Sequence, residues 1–134
     1  MSDATLKNIC FKPGMELKVT GVPKPNAARF SINVCDSKEN VALHFNPRFN
    51  CGADQRVIVL DTRKDGHWQE EVRERNFPFQ HRKEFEVTII FADDKFYINL
   101  HDGHVLLFPN RLAGKQYNYI LIDGEVTVNG IYVK

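Results

Sequence analysis

The chain of 134 residues has little cysteine, little excess charge and little helical periodicity. Its three cysteines are an odd number without C-x-x-C spacing, which argues against a disulfide framework or a structural zinc site. Eighteen basic and seventeen acidic residues leave a net charge of +1, so no global field draws the chain to DNA or anionic lipid. We therefore expect free thiols, no structural zinc site, and no nucleic-acid partner.

Long apolar runs are also missing from the sequence. No stretch approaches about 18 consecutive apolar residues, so membrane insertion is not expected. Met1–Thr5 has neither the basic start nor the apolar run of a signal peptide. These features predict synthesis in the cytosol.

Apolar and polar residues instead alternate along most of the chain, which is typical of β-strands. The clearest alternation covers residues 85–91, in which four apolar residues share one face: Phe85, Val87, Ile89 and Phe91. Asp93-Asp94 reads as a turn into a second alternating segment, so a hairpin is expected there. Asp102-Gly103 and Asp123-Gly124 mark two more short turns, which favour antiparallel meanders.

Turn signals separate about ten or eleven predicted strands in all. A single sheet of that size would curl or split, so we expect an all-β fold with two packed antiparallel sheets rather than one closed barrel. The length fits a single domain over residues 1–134. Five of the predicted strands are Glu16–Val22, Arg29–Val34, Val41–Phe49, Val57–Asp61 and Glu70–Arg75.

One predicted strand, Val41–Phe49, carries a row of three polar side chains. Alternation puts Leu43 and Phe45 on the buried face and His44, Asn46 and Arg48 together on the other. Such a row also fits a merely solvated strand face. Its donors and acceptors stand roughly 6.6 to 6.8 Å apart, however, which suits neighbouring hydroxyls of one sugar ring.

A second segment supplies an aromatic residue beside charged groups. Trp68 precedes Glu71 and Arg73, which share one strand face. A pyranose packs its C–H face on an indole while its hydroxyls require directional hydrogen bonds. Arg48, Glu71 and Arg73 are expected to form an Arg-carboxylate-Arg bridge that preorganises the site.

These residues together resemble the galectin family in order and spacing over nearly the whole chain. The resemblance implies a jelly-roll β-sandwich, no metal or cofactor, and binding of β-galactoside glycans without catalysis. The blocks that carry it are His44–Phe49, Trp68 with Glu71 and Arg73, Phe77–Phe79, Phe108–Leu112, Lys12–Gly14 and Gly52–Gln55.

The resemblance also implies a role for each residue of the site. A galactose would stack on Trp68, and its axial hydroxyl would meet His44, Asn46 and Arg48. Glu71 would accept from the exocyclic hydroxyl and, with Arg48 and Arg73, reach the neighbouring sugar. An extended subsite is expected from three further residues: Arg29, Ser31 and Arg56.

The sequence departs from the family pattern at Asp61, where galectins usually carry an asparagine. An ionised carboxylate only accepts hydrogen bonds, and Asp61 would add a second acid near Glu71. A loop histidine of the family is also replaced, by Cys51-Gly52-Ala53. We expect Asp61 to weaken galactoside binding or to admit another hexose such as mannose.

Two alternative functions are open at this stage. Asp61 and Glu71 could form a glycosidase pair of acid and base or nucleophile. About ten strands could instead close into a lipid-carrying barrel.

The resemblance further implies a homodimer formed through sheet edges, so that one site per chain can crosslink glycans. The terminal segments Ala4–Phe11 and Glu125–Val133 are the candidate edges. Galectin resemblance also implies export that needs no signal peptide, which would bring a cytosolic product to extracellular glycans.

Overall fold

Residues 4–134, which the computed structural model describes, form twelve β-strands and no helix. No helix able to span a membrane is therefore found within this range. Met1–Asp3, on which part of the signal-peptide prediction rests, lie outside the described residues. The strands are β1 Ala4–Phe11, β2 Glu16–Pro23, β3 Phe30–Cys35, β4 Val41–Cys51, β5 Asp54–Lys64, β6 His67–Trp68, β7 Val72–Glu74, β8 Phe85–Phe91, β9 Lys95–Asn99, β10 Val105–Pro109, β11 Tyr117–Gly124 and β12 Val126–Val133.

The strands form two sheets in which every pair is antiparallel. The seven-stranded sheet has the order β1-β11-β3-β4-β5-β6, and β7 also pairs with β5. The five-stranded sheet has the order β10-β9-β8-β2-β12. The all-β prediction with two antiparallel sheets is confirmed. The sheets keep separate edges instead of closing on each other, so the closed barrel of the lipid-carrying alternative is wrong.

Alternation explains which face of each strand is buried. In β8 the four apolar residues of the predicted face are at most 2% exposed, and the residues between them are half-buried or exposed. β8 pairs with β9 across a turn in which the Ala92 amide donates to the Lys95 carbonyl at 2.9 Å. The predicted hairpin is confirmed, because a period of two matches a strand with one face on the core.

The meander expected around Asp123-Gly124 is wrong. Both residues lie inside β11, which pairs with β1 and β3, whereas β12 pairs with β2 in the other sheet. Gly124 has φ +98° and lies against Phe30, so the chain turns sharply there and crosses between the sheets. Gly124 therefore marks a crossover between the two sheets and not a hairpin turn.

Aromatic contacts join the two sheets across the core. Phe30 of β3 stacks on Phe85 of β8 at a centroid distance of 5.0 Å, and Phe79 meets both rings edge-on. Burying each such ring contributes about 1.5–3 kcal/mol. The core therefore holds the inner faces of β3 and β4 firmly, which fixes the side chains on their outer faces.

Cross-strand register brings the predicted polar row together with residues of the flanking strands. His44 of β4 stands opposite Asn33 of β3 and Asp61 of β5. Arg48 stands opposite Val57 of β5, and its backbone forms an isolated antiparallel β-bridge with Arg29. The outer face of the seven-stranded sheet thus collects polar groups from three neighbouring strands.

Candidate functional site

An open cavity of about 520 Å³ lies on this outer face. Its size is within the range of small-molecule sites. Six of the seven residues predicted for the primary site line it, all except Arg73, and Arg29 of the predicted extended subsite does too. The lining residues are Arg29, His44, Asn46, Arg48, Val59, Asp61, Trp68, Gln69 and Glu71.

His44 is held in one neutral form. Its Nδ1 lies 2.6 Å from Oδ1 of Asn33, and because an amide oxygen only accepts, Nδ1 carries the proton. Burial, with a further contribution from the Arg29 charge, lowers the pKa of His44 to about 4. The ring is therefore neutral at pH 7, and Nε2 keeps a lone pair that can accept from a ligand hydroxyl.

Asn46 is fully buried, although it lines the cavity. Its Nδ2 donates to the Phe30 carbonyl at 2.7 Å, and its Oδ1 accepts from Arg48 Nε at 2.9 Å. The amide group still has one N–H to offer, because Nδ2 carries two. Asn46 thus orients Arg48 and presents a fixed donor of its own.

The carboxylate between Arg48 and Arg73 is Asp54, so the bridge predicted through Glu71 is wrong. Asp54 accepts from Arg48 Nη1 and from Arg73 Nη1, both at 2.6 Å. The hydrogen bond from Arg73, and after it the one from Arg48, lowers the pKa of Asp54. The hydrogen bond to Asp54 in turn raises the pKa of Arg73. Among residues 4–134, Glu71 is ion-paired with Arg73 alone, at 3.3 Å, and this leaves carboxylate lone pairs available to the cavity that it lines.

Asp61 is only 3% exposed at the floor of the cavity. Its Oδ1 accepts from the Thr62 amide at 2.6 Å and lies 3.4 Å from Arg111 Nη1. Arg111 is itself held by the Glu70 carbonyl at 2.9 Å. The repulsion expected between Asp61 and Glu71 is therefore offset, because each carboxylate faces its own arginine.

Trp68 offers an exposed aromatic surface at the mouth of the cavity. It is 49% exposed, and its ring packs at 4.7 Å from the His44 ring. The Arg63 guanidinium lies over the indole at 5.6 Å from the centroid. An indole held from two sides with its remaining surface in solvent is suited to stack on a sugar.

The residues predicted for an extended subsite separate in the structure. Arg56 lines neither this cavity nor the adjoining one; it donates to the Phe77 carbonyl at 3.1 Å and lies over the Phe77 ring. Ser31 lines a second, adjoining cavity with Arg29 and donates to Asp123. Among residues 4–134, no group of three or more His, Cys, Asp or Glu could hold a metal ion.

Sequence reasoning gave no role to several residues that shape the site, among them Asp54 and Arg111. Both lie inside blocks that carried the resemblance, Gly52–Gln55 and Phe108–Leu112. Their sequence distance from the residues that they contact gave no signal of pairing. Only the register of β5 and the path of the chain after β10 reveal it.

An exposed indole beside oriented hydrogen-bonding groups, on the face of a β-sandwich, defines a sugar-binding protein. The family model for galactoside-binding lectins matches residues 4–133 of the chain. The chain therefore belongs to the galactoside-binding lectin family. Family proteins are carbohydrate-binding lectins and not enzymes, so the glycosidase alternative is wrong.

Known relatives match the chain over nearly its whole length. The galactose-binding lectin l-1 of Anguilla japonica is 42% identical, over 99% of this chain and 94% of the eel protein. The solved structure of congerin II liganded with lactose and MES is 40% identical, with a TM-score of 0.95 over 99% of this chain and 100% of the other. The chicken liver homodimeric agglutinin CG-16 is 32% identical, also with a TM-score of 0.95, and coverage is 99% and 100%.

Proposed function

We propose that residues 1–134 form one carbohydrate-recognition domain that binds galactosides of the lactose or N-acetyllactosamine type in the 520 Å³ cavity. The observation that carries this proposal is the exposed Trp68 indole beside the neutral, fixed His44 ring. Family membership and the lactose-liganded congerin II structure support the ligand class.

The side chains have complementary roles toward such a sugar. The C–H face of galactose packs on Trp68, and one hydroxyl donates to His44 Nε2 while it accepts from Asn46 and Arg48. Glu71 accepts from a further hydroxyl. Because Asp54 already holds Arg48 and Arg73 in place, binding costs little ordering of these long side chains.

Retention on lactose-agarose with elution by free lactose tests the ligand class, and calorimetry gives the affinity. Replacing Trp68 by Ala is expected to weaken lactose binding roughly 10- to 100-fold, through loss of the stacking surface. Tyr132→Ala is the matched control, because Tyr132 is also an exposed aromatic residue, 58% exposed, on the other sheet. Equal loss in both variants, or no retention of the native chain, would contradict the proposal.

We further propose that Asp61 lowers the affinity for galactosides or widens the choice of hexose. A carboxylate paired with Arg111 can accept from a sugar hydroxyl but cannot donate to one. Asp61→Asn restores a donor and is expected to bind lactose more tightly or to lose affinity for mannose. Titration of the native chain and of Asp61→Asn with lactose and with mannose tests this proposal. Identical affinities of the two proteins would contradict it.

We also propose that the protein crosslinks glycans as a homodimer and acts outside the cell after signal-peptide-independent export. The homodimeric chicken agglutinin supports the first point, since its fold matches at a TM-score of 0.95. The three cysteines are free, as expected of synthesis in a reducing compartment. Fractionation of expressing cells, with secretion followed while the classical route is blocked, tests the export.

A further inference from the structure

Strand β10 leaves one side of its backbone without a partner. Among residues 4–134 it pairs with β9 alone, at the edge of the five-stranded sheet. Natural proteins disrupt such edges with charged side chains, bulges or proline. Residues 105–108 contain none of these, and they pair with β9 without a register shift. The free side of β10 is therefore open to a further strand.

The pairing pattern shows which backbone groups of β10 face outward. The Leu100 amide donates to the His104 carbonyl at 2.9 Å, which makes these two residues a hydrogen-bonded pair. Hydrogen-bonded and non-hydrogen-bonded pairs alternate along an antiparallel ladder, so every second residue after His104 bonds to β9. The residues between them, which turn their backbone groups outward, are Val105, Leu107 and Pro109. They offer two N–H groups and three carbonyls, because proline has no N–H.

A largely apolar groove of about 300 Å³ lies beside this edge, between β10 and β7 of the other sheet. Two of its lining residues belong to the hydrophobic core, since Leu60 and Leu106 are only 2% and 7% exposed. Three others are exposed apolar residues: Val72, Val105 and Leu107 are 41%, 50% and 60% exposed. Contiguous exposed apolar surface is typical of an interaction site, because covering it is favourable.

A carboxylate stands at the end of the groove where β10 begins. Glu74 accepts from the Asn76 amide at 2.7 Å, and its carboxylate lies 3.5 Å from the His104 ring. Among residues 4–134, no Lys or Arg forms an ion pair with Glu74. Asp102 adds a second negative charge nearby, since a hydrogen bond from the Asn76 side chain lowers its pKa. This end of the groove therefore favours a basic side chain.

Pairing of two β10 strands from two copies would satisfy the backbone but not the groove. The side chains of β10 on the groove side are Leu106 and Phe108, which are 7% and 0% exposed because they pack in their own core. They are not free to enter the groove of another copy. An extended segment with no core of its own has free side chains on both faces, so it can pair with β10 and also fill the groove.

We propose that β10 and the adjoining groove bind an extended, unfolded segment of a partner polypeptide as an added antiparallel strand. The residue of the segment opposite Leu106 is large and apolar and enters the groove. The next residue on the same face, opposite His104, is Lys or Arg and meets Glu74. The groove and the sugar cavity share no lining residue, so a protein partner and a sugar can bind at the same time.

Fluorescence anisotropy with a labelled, end-blocked peptide of sequence TVTLTR tests the site on the full chain. In antiparallel pairing its leucine lies opposite Leu106 and its arginine opposite His104, and threonine favours the extended form. Saturable binding is expected, and saturating lactose should not displace the peptide. TVTLTE, which reverses the charge, and TVPLTR, which lacks the N–H opposite Leu107, should each bind about five- to tenfold more weakly.

Amide hydrogen exchange followed by NMR locates the added strand. Peptide binding should slow exchange at Val105 and Leu107, whose N–H groups face outward, and leave Leu106 and Phe108 unchanged, because these already bond to β9. Absence of binding, or binding without slower exchange at Val105 and Leu107, would overturn the proposal. Exchange at these two amides that slows with protein concentration in the absence of peptide would also overturn it, since a second copy would then occupy the edge.

The variant Glu74→Gln tests the charged contact. A glutamine oxygen can still accept from the Asn76 amide, so the variant should fold, as circular dichroism can verify, and should lose the preference for TVTLTR over TVTLTE. Glu84→Gln is the matched control, because Glu84 also accepts from an asparagine, Asn129 Nδ2 at 2.8 Å, but at the other edge of the five-stranded sheet. Glu84→Gln should keep the preference. An unchanged preference in Glu74→Gln would show that the basic residue does not bind at this groove.

Discussion

A neutral histidine at a sugar site gives the binding a defined dependence on pH. Burial lowers the pKa of His44 to about 4, and Asn33 fixes its proton on Nδ1. We expect lactose affinity to stay unaffected by His44 down to about pH 5 and to fall as the ring gains a proton near pH 4. An NMR titration of the His44 ring, with and without lactose, measures this midpoint. A midpoint above 6 would contradict the assigned state.

The same shift makes stability depend on pH. His44 takes up a proton more readily in the unfolded chain, where its pKa is near the ordinary histidine value of 6.5, than in the folded chain. Its contribution to stability is therefore complete above about pH 6.5 and is lost as the pH falls toward 4. Urea denaturation at several pH values is expected to show a smaller drop over this window in His44→Gln than in the native chain.

Asp54 holds Arg48 and Arg73 in place, so it should affect sugar affinity through the positions of these two side chains. Asp54→Asn is expected to weaken lactose binding roughly tenfold, because Arg48 and Arg73 would then have to be ordered on binding. Calorimetry should show the loss as a less favourable entropy. Asp36→Asn is a suitable control, since Asp36 is an exposed acid away from the site. No change in Asp54→Asn would contradict this positioning role.

The sequence predicted which side chains share a strand face, but it did not predict which side chains contact each other. Alternation alone placed His44 and Arg48 on one strand face, and the polar neighbours of Trp68 agreed with its exposure. Alternation reports the face of a strand but not which carboxylate meets which arginine. Asp54 and Arg111 were missed for this reason, since their contacts depend on register and on chain path.

Strand existence was predictable from the sequence, whereas strand ends and connections were not. β5 runs from Asp54 to Lys64, beyond the predicted Val57–Asp61, because pairing with β4 extends the ladder over polar residues. The segment predicted as Glu70–Arg75 is strand only over Val72–Glu74, and His67–Trp68 forms a further short strand. Cross-strand hydrogen bonds set these limits, and local composition does not record them.

The crossover at Gly124 yields a prediction about an element boundary. A Cβ there would stand 2.6 Å from Phe30 Cα and 2.8 Å from the Arg29 carbonyl, at φ +98°. Gly124→Ala should therefore lower the free energy of unfolding by about 2–4 kcal/mol. Gly103→Ala is the matched control, because φ is +91° but no atom lies within 4 Å, so a loss of only about 1–2 kcal/mol is expected.

Chemical denaturation of the two glycine variants separates backbone strain from steric contact. The extra loss in Gly124→Ala measures the contact with β3, because both variants share the strain. Since Arg29 lies at this contact, lactose affinity should also fall in Gly124→Ala. Equal losses of stability in the two variants would show that the crossover tolerates a side chain.

At the scale of the whole molecule, the two chain ends supply one free edge of each sheet. β1 is an edge of the seven-stranded sheet and β12 an edge of the five-stranded sheet. The sequence prediction that the terminal segments lie at edges is confirmed. Their pairing between two copies stays a prediction, because sheet edges present unpaired backbone groups that either join a partner or are capped.

The dimer proposed above can be tested at β12. In a twofold dimer the same patch meets itself, so Thr127→Asp, an exposed edge position, would place like charges from both copies near each other. We expect this variant to sediment as a monomer, to keep its lactose affinity per site, and to lose agglutination of galactoside-bearing cells. Leu107→Asp on β10 is the control, because Leu107 is 60% exposed at the opposite edge of the same sheet. If Leu107→Asp is monomeric and Thr127→Asp stays dimeric, the interface lies at β10 instead. If the native chain sediments as a monomer at every concentration, the crosslinking proposal is contradicted.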